Sequence, residues 1–311
     1  MLLTDELKNT DLIVGPLFFG TATADENKIV QDFSFANQVN LLNPISNNME
    51  TVADNPFGYL LQPSYETLGR KAGDLLATAN GGAPVSNCLV LYGNTRKDSV
   101  MAANFVQVAS EKGVKIVASE KIAREDSRKV IQILATPTEY DQWKKPIEFT
   151  LGKDSLASIY VASDDPLIYS KVISSMETRG DSITIVGSES WLEGNAVPFE
   201  KYQRLGVVFA SPNYTRYDQP YYRAFVRKYI QTNGHAPSDF AELGYEAMLF
   251  TGHMLGQYGV YFQDAINKDR VLPGYLSEGY SFYRSRSNLV VPFVKFKDGE
   301  LIRVDQMPST K

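Results

Sequence analysis

Cysteine is almost absent from this sequence: Cys88 stands alone. A lone thiol closes no internal disulfide, so compartment cannot be read from bridges, and a zinc site built on thiolates is excluded. Within the apolar run Cys88-Leu89-Val90-Leu91-Tyr92 it reads as a small buried hydrophobe. Histidine is scarce as well. His235 and His253 fit no metal-ligand spacing and read as surface or packing residues. Runs of basic residues are missing, and a net charge of -5 gives no electrostatic footing for nucleic acid. No apolar stretch approaches the roughly 20 residues that span a bilayer. The opening Met1-Leu2-Leu3-Thr4-Asp5 has neither a charged n-region nor an apolar h-region. Either the protein is cytoplasmic, or a targeting segment lies upstream of this start.

Catalytic motifs are lacking too. The turn Val14-Gly15-Pro16-Leu17-Phe18-Phe19-Gly20 has the spacing of neither the dinucleotide fingerprint nor the P-loop. Gly187-Ser188-Glu189-Ser190-Trp191 has tryptophan where a nucleophile elbow needs glycine. The pair Asp164-Asp165 could do acid–base work, but adjacent residues rarely converge on one substrate, and a capping or ligand role fits better. The expectation is a non-enzyme with no catalytic residue, cofactor or metal.

What is present is alternation. With 311 residues, two domains are the natural division. Short apolar runs at 11–17, 39–45, 59–63, 88–92, 115–122, 156–161, 183–186 and 206–210 alternate with amphipathic stretches over much of the chain. The best helix covers 219–232, with Tyr222, Phe225, Val226, Tyr229 and Ile230 in one stripe and Asn233-Gly234 as its stop. A second long helix covers 240–257, where Ala241, Gly244, Met248 and Gly252 form a face that suits close helix packing. Asp298-Gly299 marks a terminal two-residue hairpin. Asn80-Gly81-Gly82-Ala83-Pro84 is the clearest linker. Strands and helices in this order predict right-handed βαβ units and parallel sheets covered on both faces.

Open parallel sheets bind ligands at the carboxyl ends of their strands, where loops meet helix N-termini. Polar clusters fall there in both halves: Thr21 and Thr23, Ser46 and Asn47, and Ser64 in the first, and Asn94, Asp164 and Asp165, and Glu189 with Trp191 in the second. Hydroxyls and helix amides could hold a carboxylate, Glu189 or Asp164 an ammonium, and Trp191 an apolar or planar body. Ser64 and Asp165, just ahead of helices, read equally well as N-caps.

The strings Asp11-Leu12-Ile13-Val14-Gly15-Pro16-Leu17, Leu42-Asn43-Pro44-Ile45-Ser46 and Leu61-Gln62-Pro63-Ser64 resemble the type I periplasmic binding proteins, in their leucine/isoleucine/valine-binding and amide-receptor branch. The resemblance continues through Leu89-Val90-Leu91-Tyr92, the run at 183–187, the helix at 221–230 and the terminal hairpin, so it covers essentially the whole chain. Order and spacing carry it; no single motif does.

The resemblance implies two Rossmann-like lobes, 1–82 with 205–284 and 83–204 with 285–311, joined by a hinge that closes over a ligand. By position, Ile45, Ser46 and Asn47 match the loop that grips an amino acid's carboxylate, and Glu189 the acid that meets its ammonium. The family's serine after the Gly-Pro strand falls near Phe19, which moves that contact to Thr21 or removes it. The family's aromatic residues in the second lobe fall near Lys97 and Asp164-Asp165, which disfavours an aliphatic amino acid and leaves a more polar ligand, or none. Family members also begin with two strands that precede 11–17. The expectation is therefore an upstream segment carrying those strands and a secretion signal, with Met1 an artefact of gene calling or design. Failing that, dimerisation, strand swapping or a rearranged terminus would cover the edge left at 11–17. The implied role is an extracytoplasmic receptor for an amino acid or amide-like solute, partnered by an ABC transporter permease. The rival readings are a ligand-less module for protein interaction in the cell envelope and an effector-sensing domain of a regulator.

Overall fold

The computed structural model describes residues 9–17, 24–79, 87–153 and 155–304. In chain order the elements are β1 (Leu12–Val14), α1 (Ala24–Asn37), β2 (Asn40–Asn43), β3 (Gly58–Leu60), α2 (Tyr65–Thr78), β4 (Cys88–Tyr92), α3 (Arg96–Glu111), β5 (Ile116–Lys121) and α4 (Arg128–Ala135). There follow β6 (Pro137–Tyr140), β7 (Pro146–Phe149), β8 (Ser158–Ala162), α5 (Pro166–Arg179), β9 (Thr184–Ser188), α6 (Ser190–Glu193), α7 (Phe199–Leu205) and β10 (Val208–Ala210). The last are α8 (Pro220–Asn233), α9 (Asp239–Tyr258), α10 (Gln263–Ile266), β11 (Phe293–Lys297) and β12 (Glu300–Arg303). The α/β architecture expected from the alternation is present.

The chain divides into two compact units, Met1–Tyr65 with Pro212–Val290 and Glu66–Ser211 with Val291–Lys311. The first holds a parallel sheet in the order β1-β2-β3. Its apolar side is closed by α9 and the chain after it. Leu42, Tyr59 and Leu61 meet Ala247, Phe250, Met254, Phe262, Tyr280 and Phe282 in one buried cluster. A carboxylate sits at the edge of this core. Glu246, 3% exposed, accepts hydrogen bonds from the backbone N–H groups of Tyr275 and Leu276 and from the Ser277 hydroxyl.

The second unit holds a seven-stranded sheet in the order β12-β11-β10-β9-β8-β4-β5. It is parallel from β10 to β5, and only β11 and β12 run antiparallel. β8 is buried along its whole length, as a parallel strand covered on both faces must be. At the β11–β12 turn Asp298 and Gly299 both take positive φ, 51° and 82°, the conformation of the two-residue hairpin that the sequence marks there. β6 and β7 form a separate two-stranded sheet.

Three segments fall elsewhere than the lobe boundaries read from the sequence. α2 packs on α3 so closely that a Cβ on Gly69 would stand 2.2 Å from the Met101 carbonyl oxygen, which ties this helix to the second unit. β10 pairs with β9 and so extends the second sheet. Ser287 bridges Leu60, which keeps 285–290 with the first unit. The face of α9 expected to pack closely also differs. Met248 is 60% exposed, and a Cβ on Gly244 or Gly252 would meet nothing within 4 Å. The buried face carries Glu246, Ala247, Phe250, Thr251 and Met254 instead, and Phe250 and Met254 join the core of the first unit.

Candidate functional site

In the second unit the loops after β4, β8 and β9 each deliver polar side chains to the carboxyl edge of the sheet. After β4 the chain turns at Gly93, where a Cβ would collide with the Asp98 and Ser163 side chains, and enters α3 through a capping box. Thr95 Oγ1 accepts from the Asp98 N–H at 3.3 Å, and Asp98 Oδ2 accepts from the Thr95 N–H at 3.3 Å. Asp98 is 2% exposed, and burial raises its carboxyl above the ordinary value despite those two bonds. The capping box fixes the first turn of the helix and with it the start of the Lys97 side chain.

Lys97 reaches across to Asp164, which follows β8, and forms an ion pair with its Oδ2. The other carboxylate oxygen accepts from the Ser190 hydroxyl at 2.5 Å, and that hydroxyl lies 3.1 Å from the Ser188 hydroxyl. Burial alone would raise the Asp164 carboxyl; the Lys97 ammonium and the two serine hydroxyls outweigh it, and the group stays below its ordinary value. Glu189 lies between the two serines in sequence and accepts from Ser211 Oγ at 2.7 Å. Three strand ends therefore place the Lys97 cation, the Asp164 carboxylate and the Ser188 and Ser190 hydroxyls together, with Glu189 next to them in the chain.

Trp191 closes the floor of this set. It is fully buried, it stacks on Tyr169 at 4.7 Å, and its indole N–H donates to the Ser163 carbonyl at 2.9 Å. Gly187 is a glycine for the same reason, since any Cβ there would stand 2.4 Å from the indole ring. This corrects the expectation that Trp191 presents an apolar face to a ligand: it supports the site from beneath. Asp165 takes the other role weighed for it. It caps α5 by accepting from the Leu167 N–H at 2.8 Å, and it pairs with Arg124. Asn94 is exposed at the end of the β4 turn.

In the first unit the loop after β2 is organised by Asn43. Its Oδ1 accepts from the N–H groups of Ile45 and Ser46 at 3.0 and 2.8 Å, so these amides are already satisfied by the loop itself. Ser46 Oγ accepts from the Asn48 N–H, and Asn47 donates to the Pro63 carbonyl at 2.7 Å, fastening this loop to the one after β3. Gln62 donates to the Pro44 carbonyl and to Asn213 Oδ1. Ser64 is 1% exposed, directly ahead of α2. Thr21 and Thr23 lie outside the described residues. Ile45, Ser46 and Asn47 share one partly exposed loop, while Ser64 is shut away behind it.

Lys97 and Ser188 belong to the second set but are not among the site residues read from the sequence, where Ser190 stands only within the cluster Glu189-Ser190-Trp191. Lys97 and Ser190 reach Asp164 across 67 and 26 positions, beyond any local pattern. Among the described residues no group of three or more His, Cys, Asp or Glu side chains is placed to hold a metal ion.

A parallel sheet with polar loops at its carboxyl edge defines a broad class of α/β binding folds. Comparison with solved structures narrows it: the chain has the type I periplasmic binding fold. It aligns over 96% of its length with a Desulfitobacterium hafniense ABC transporter substrate-binding protein in complex with Leu, covering 82% of that chain at a TM-score of 0.61 and 14% identity. A branched-chain amino acid ABC transporter protein of Rhodospirillum rubrum matches 89% of the chain and 77% of its own, with a TM-score of 0.63 and 17% identity. A Rhodopseudomonas palustris solute-binding protein in complex with benzoate matches 96% and 77%, at 0.58 and 15%. No protein-family model matches the sequence, and no curated protein matches it either.

Proposed function

We propose that this chain is a solute receptor that binds a small polar ligand, an amino acid or amide-like compound, in the cell envelope on behalf of an ABC transporter. The observation that carries the reading is the Lys97–Asp164–Ser190 set beside Glu189, at the strand ends where this fold class binds ligands. A zwitterion can enter it by exchanging partners. Its ammonium replaces Lys97 on Asp164, with Glu189 in reserve, and its carboxylate takes the released Lys97. Neither protein charge is then left unpaired, which keeps the cost of desolvating them low. A purely apolar ligand offers no such exchange. The solved relatives in complex with Leu and benzoate support a solute-binding role and leave ligand class open. The reading is one of binding without catalysis.

A thermal-shift panel of amino acids, small amides and aromatic carboxylates tests it. A ligand held at 100 times its Kd stabilises by about 2.7 kcal/mol, enough to raise Tm by several degrees. Shifts confined to zwitterions and amides are expected. A response to benzoate alone would contradict the partner exchange, and a flat panel would contradict the receptor reading. One observation favours the rival, a ligand-less interaction module: Lys97 and Asp164 already satisfy one another. That reading expects the flat panel.

A further inference from the structure

The two-stranded sheet of β6 and β7 has no part in the site above. It is firmly mounted. Arg179, fully buried at the end of α5, donates to the carbonyls of Leu134, Leu151 and Gly152 and pairs with Asp181. Its guanidinium lies 5.1 Å over the Phe149 ring. Glu148 accepts from the N–H groups of Phe149 and Lys153, which closes the base of the hairpin.

The other end is apolar and open. Trp143 is 77% exposed, and Tyr140 on β6 and Ile147 on β7 are 57% and 42% exposed. The turn between them is held in one shape, because Asp141 Oδ1 accepts from the N–H groups of Trp143 and Lys145, both at 2.8 Å. Lys144 has φ 62°, the left-handed region where glycine would sit without strain. Lys144 and Lys145 are both exposed beside the tryptophan. Two acids share the tip with these lysines: Asp141, half-buried with its Oδ1 engaged by the backbone, and Glu139, exposed on β6.

We propose that this hairpin tip docks on the interfacial layer of an anionic lipid membrane, with Trp143 among the headgroups and Lys144 and Lys145 against their phosphates. Indole and phenol rings prefer that layer, and lysines near an anionic surface add to the attraction. Area separates this occupant from a protein. The three exposed side chains offer roughly 400 Å² together, half of the ~800 Å² per partner that a stable protein interface needs. A lipid surface rewards each side chain separately and asks for no matching shape. The negative charge of the whole chain acts weakly here, since charges more than about 8 Å from the surface are screened at physiological salt.

The two tryptophans make the test direct, because Trp191 is fully buried and only Trp143 can change its surroundings. The full chain is titrated with vesicles of phosphatidylcholine alone and of phosphatidylcholine with one-quarter phosphatidylglycerol, reading tryptophan emission and co-sedimentation. Expected are a blue shift and salt-sensitive binding on the anionic vesicles, weaker binding on the neutral ones, and at least a tenfold loss in Trp143→Ala. Lys144→Gly with Lys145→Ser relieves the backbone while removing both charges, so a loss there cannot be laid to unfolding; several-fold weaker binding is expected. Unchanged emission with anionic vesicles overturns the proposal, as does equal binding by Trp143→Ala. Protection of the tip by a protein partner while vesicles leave it unaffected would assign it to protein docking and also overturn the proposal.

Discussion

Asp164 and Cys88 show how position in one sheet decides the chemistry of a side chain. Asp164 is held below its ordinary value of 3.8, chiefly by Lys97 once burial is overcome. A carboxylate depressed on folding stabilises fully above its unfolded value and loses that contribution as pH falls through its folded value. Both side chains of the pair are about one-third exposed, 34% and 31%, so the contribution is about 1 kcal/mol or less. Denaturant midpoints for the native chain and Asp164→Asn should therefore differ slightly at pH 7, and the difference should vanish as pH falls below the ordinary carboxylate value and through the lower folded one. A difference that grew on acidification would contradict the pairing. Cys88 is the opposite case. Burial pushes its thiol up to about 11, so almost no thiolate exists at neutral pH. A thiol reagent should label it only on unfolding, and its labelling rate should track global stability; rapid labelling of the folded chain would show the β4 strand to be open.

Two glycines on different helices separate packing from propensity. At Gly69 on α2 an added Cβ meets the backbone of α3, 2.2 Å from the Met101 carbonyl oxygen and 3.1 Å from the Phe105 nitrogen. Backbone cannot move aside cheaply, so Gly69→Ala should lower stability by about 1–3 kcal/mol although alanine is the better helix former. Gly244 on α9 has nothing within 4 Å, and Gly244→Ala should raise stability by about 0.5–1 kcal/mol. Chemical denaturation of both variants checks the pair. The same contrast explains what sequence could and could not reveal. Most strand and long-helix positions followed from periodicity, and Gly180 and Gly234 end their helices in the left-handed conformation as their placement suggests, whereas the short helix that Gly206 ends was not read from the sequence, where 206–210 counts as one apolar run. Which face of α9 is buried did not follow, because small residues suit either close packing or open solvent. The β6–β7 hairpin lies in a stretch with no clean alternation, and Arg179, which mounts it, reads in sequence only as a helix-terminal cation. Of the site, Asp164 and Glu189 were legible from their place after apolar runs. Lys97 as the partner of Asp164 was not, since 67 residues of chain separate them. Trp191 was legible as part of the cluster but not as its floor, because burial is decided by Tyr169 and Gly187 packing around it.

At the scale of the whole molecule, two α/β units each present polar loops at the carboxyl edge of a parallel sheet, on the fold of solved substrate-binding proteins. The receptor account rests on the second unit's charged set accepting a zwitterion by exchange of partners. It therefore ties affinity to Asp164 more tightly than it ties stability to it, since the pair itself contributes little to folding. The most direct measurement is a calorimetric titration of the native chain and of Asp164→Asn with the amino acid or amide that gives the largest thermal shift. The account expects saturable one-to-one binding to the native chain and at least a tenfold weaker Kd for the variant at pH 7, with nearly equal unfolding midpoints. Equal affinities for the two chains, or no heat of binding from any zwitterion tried, would contradict it.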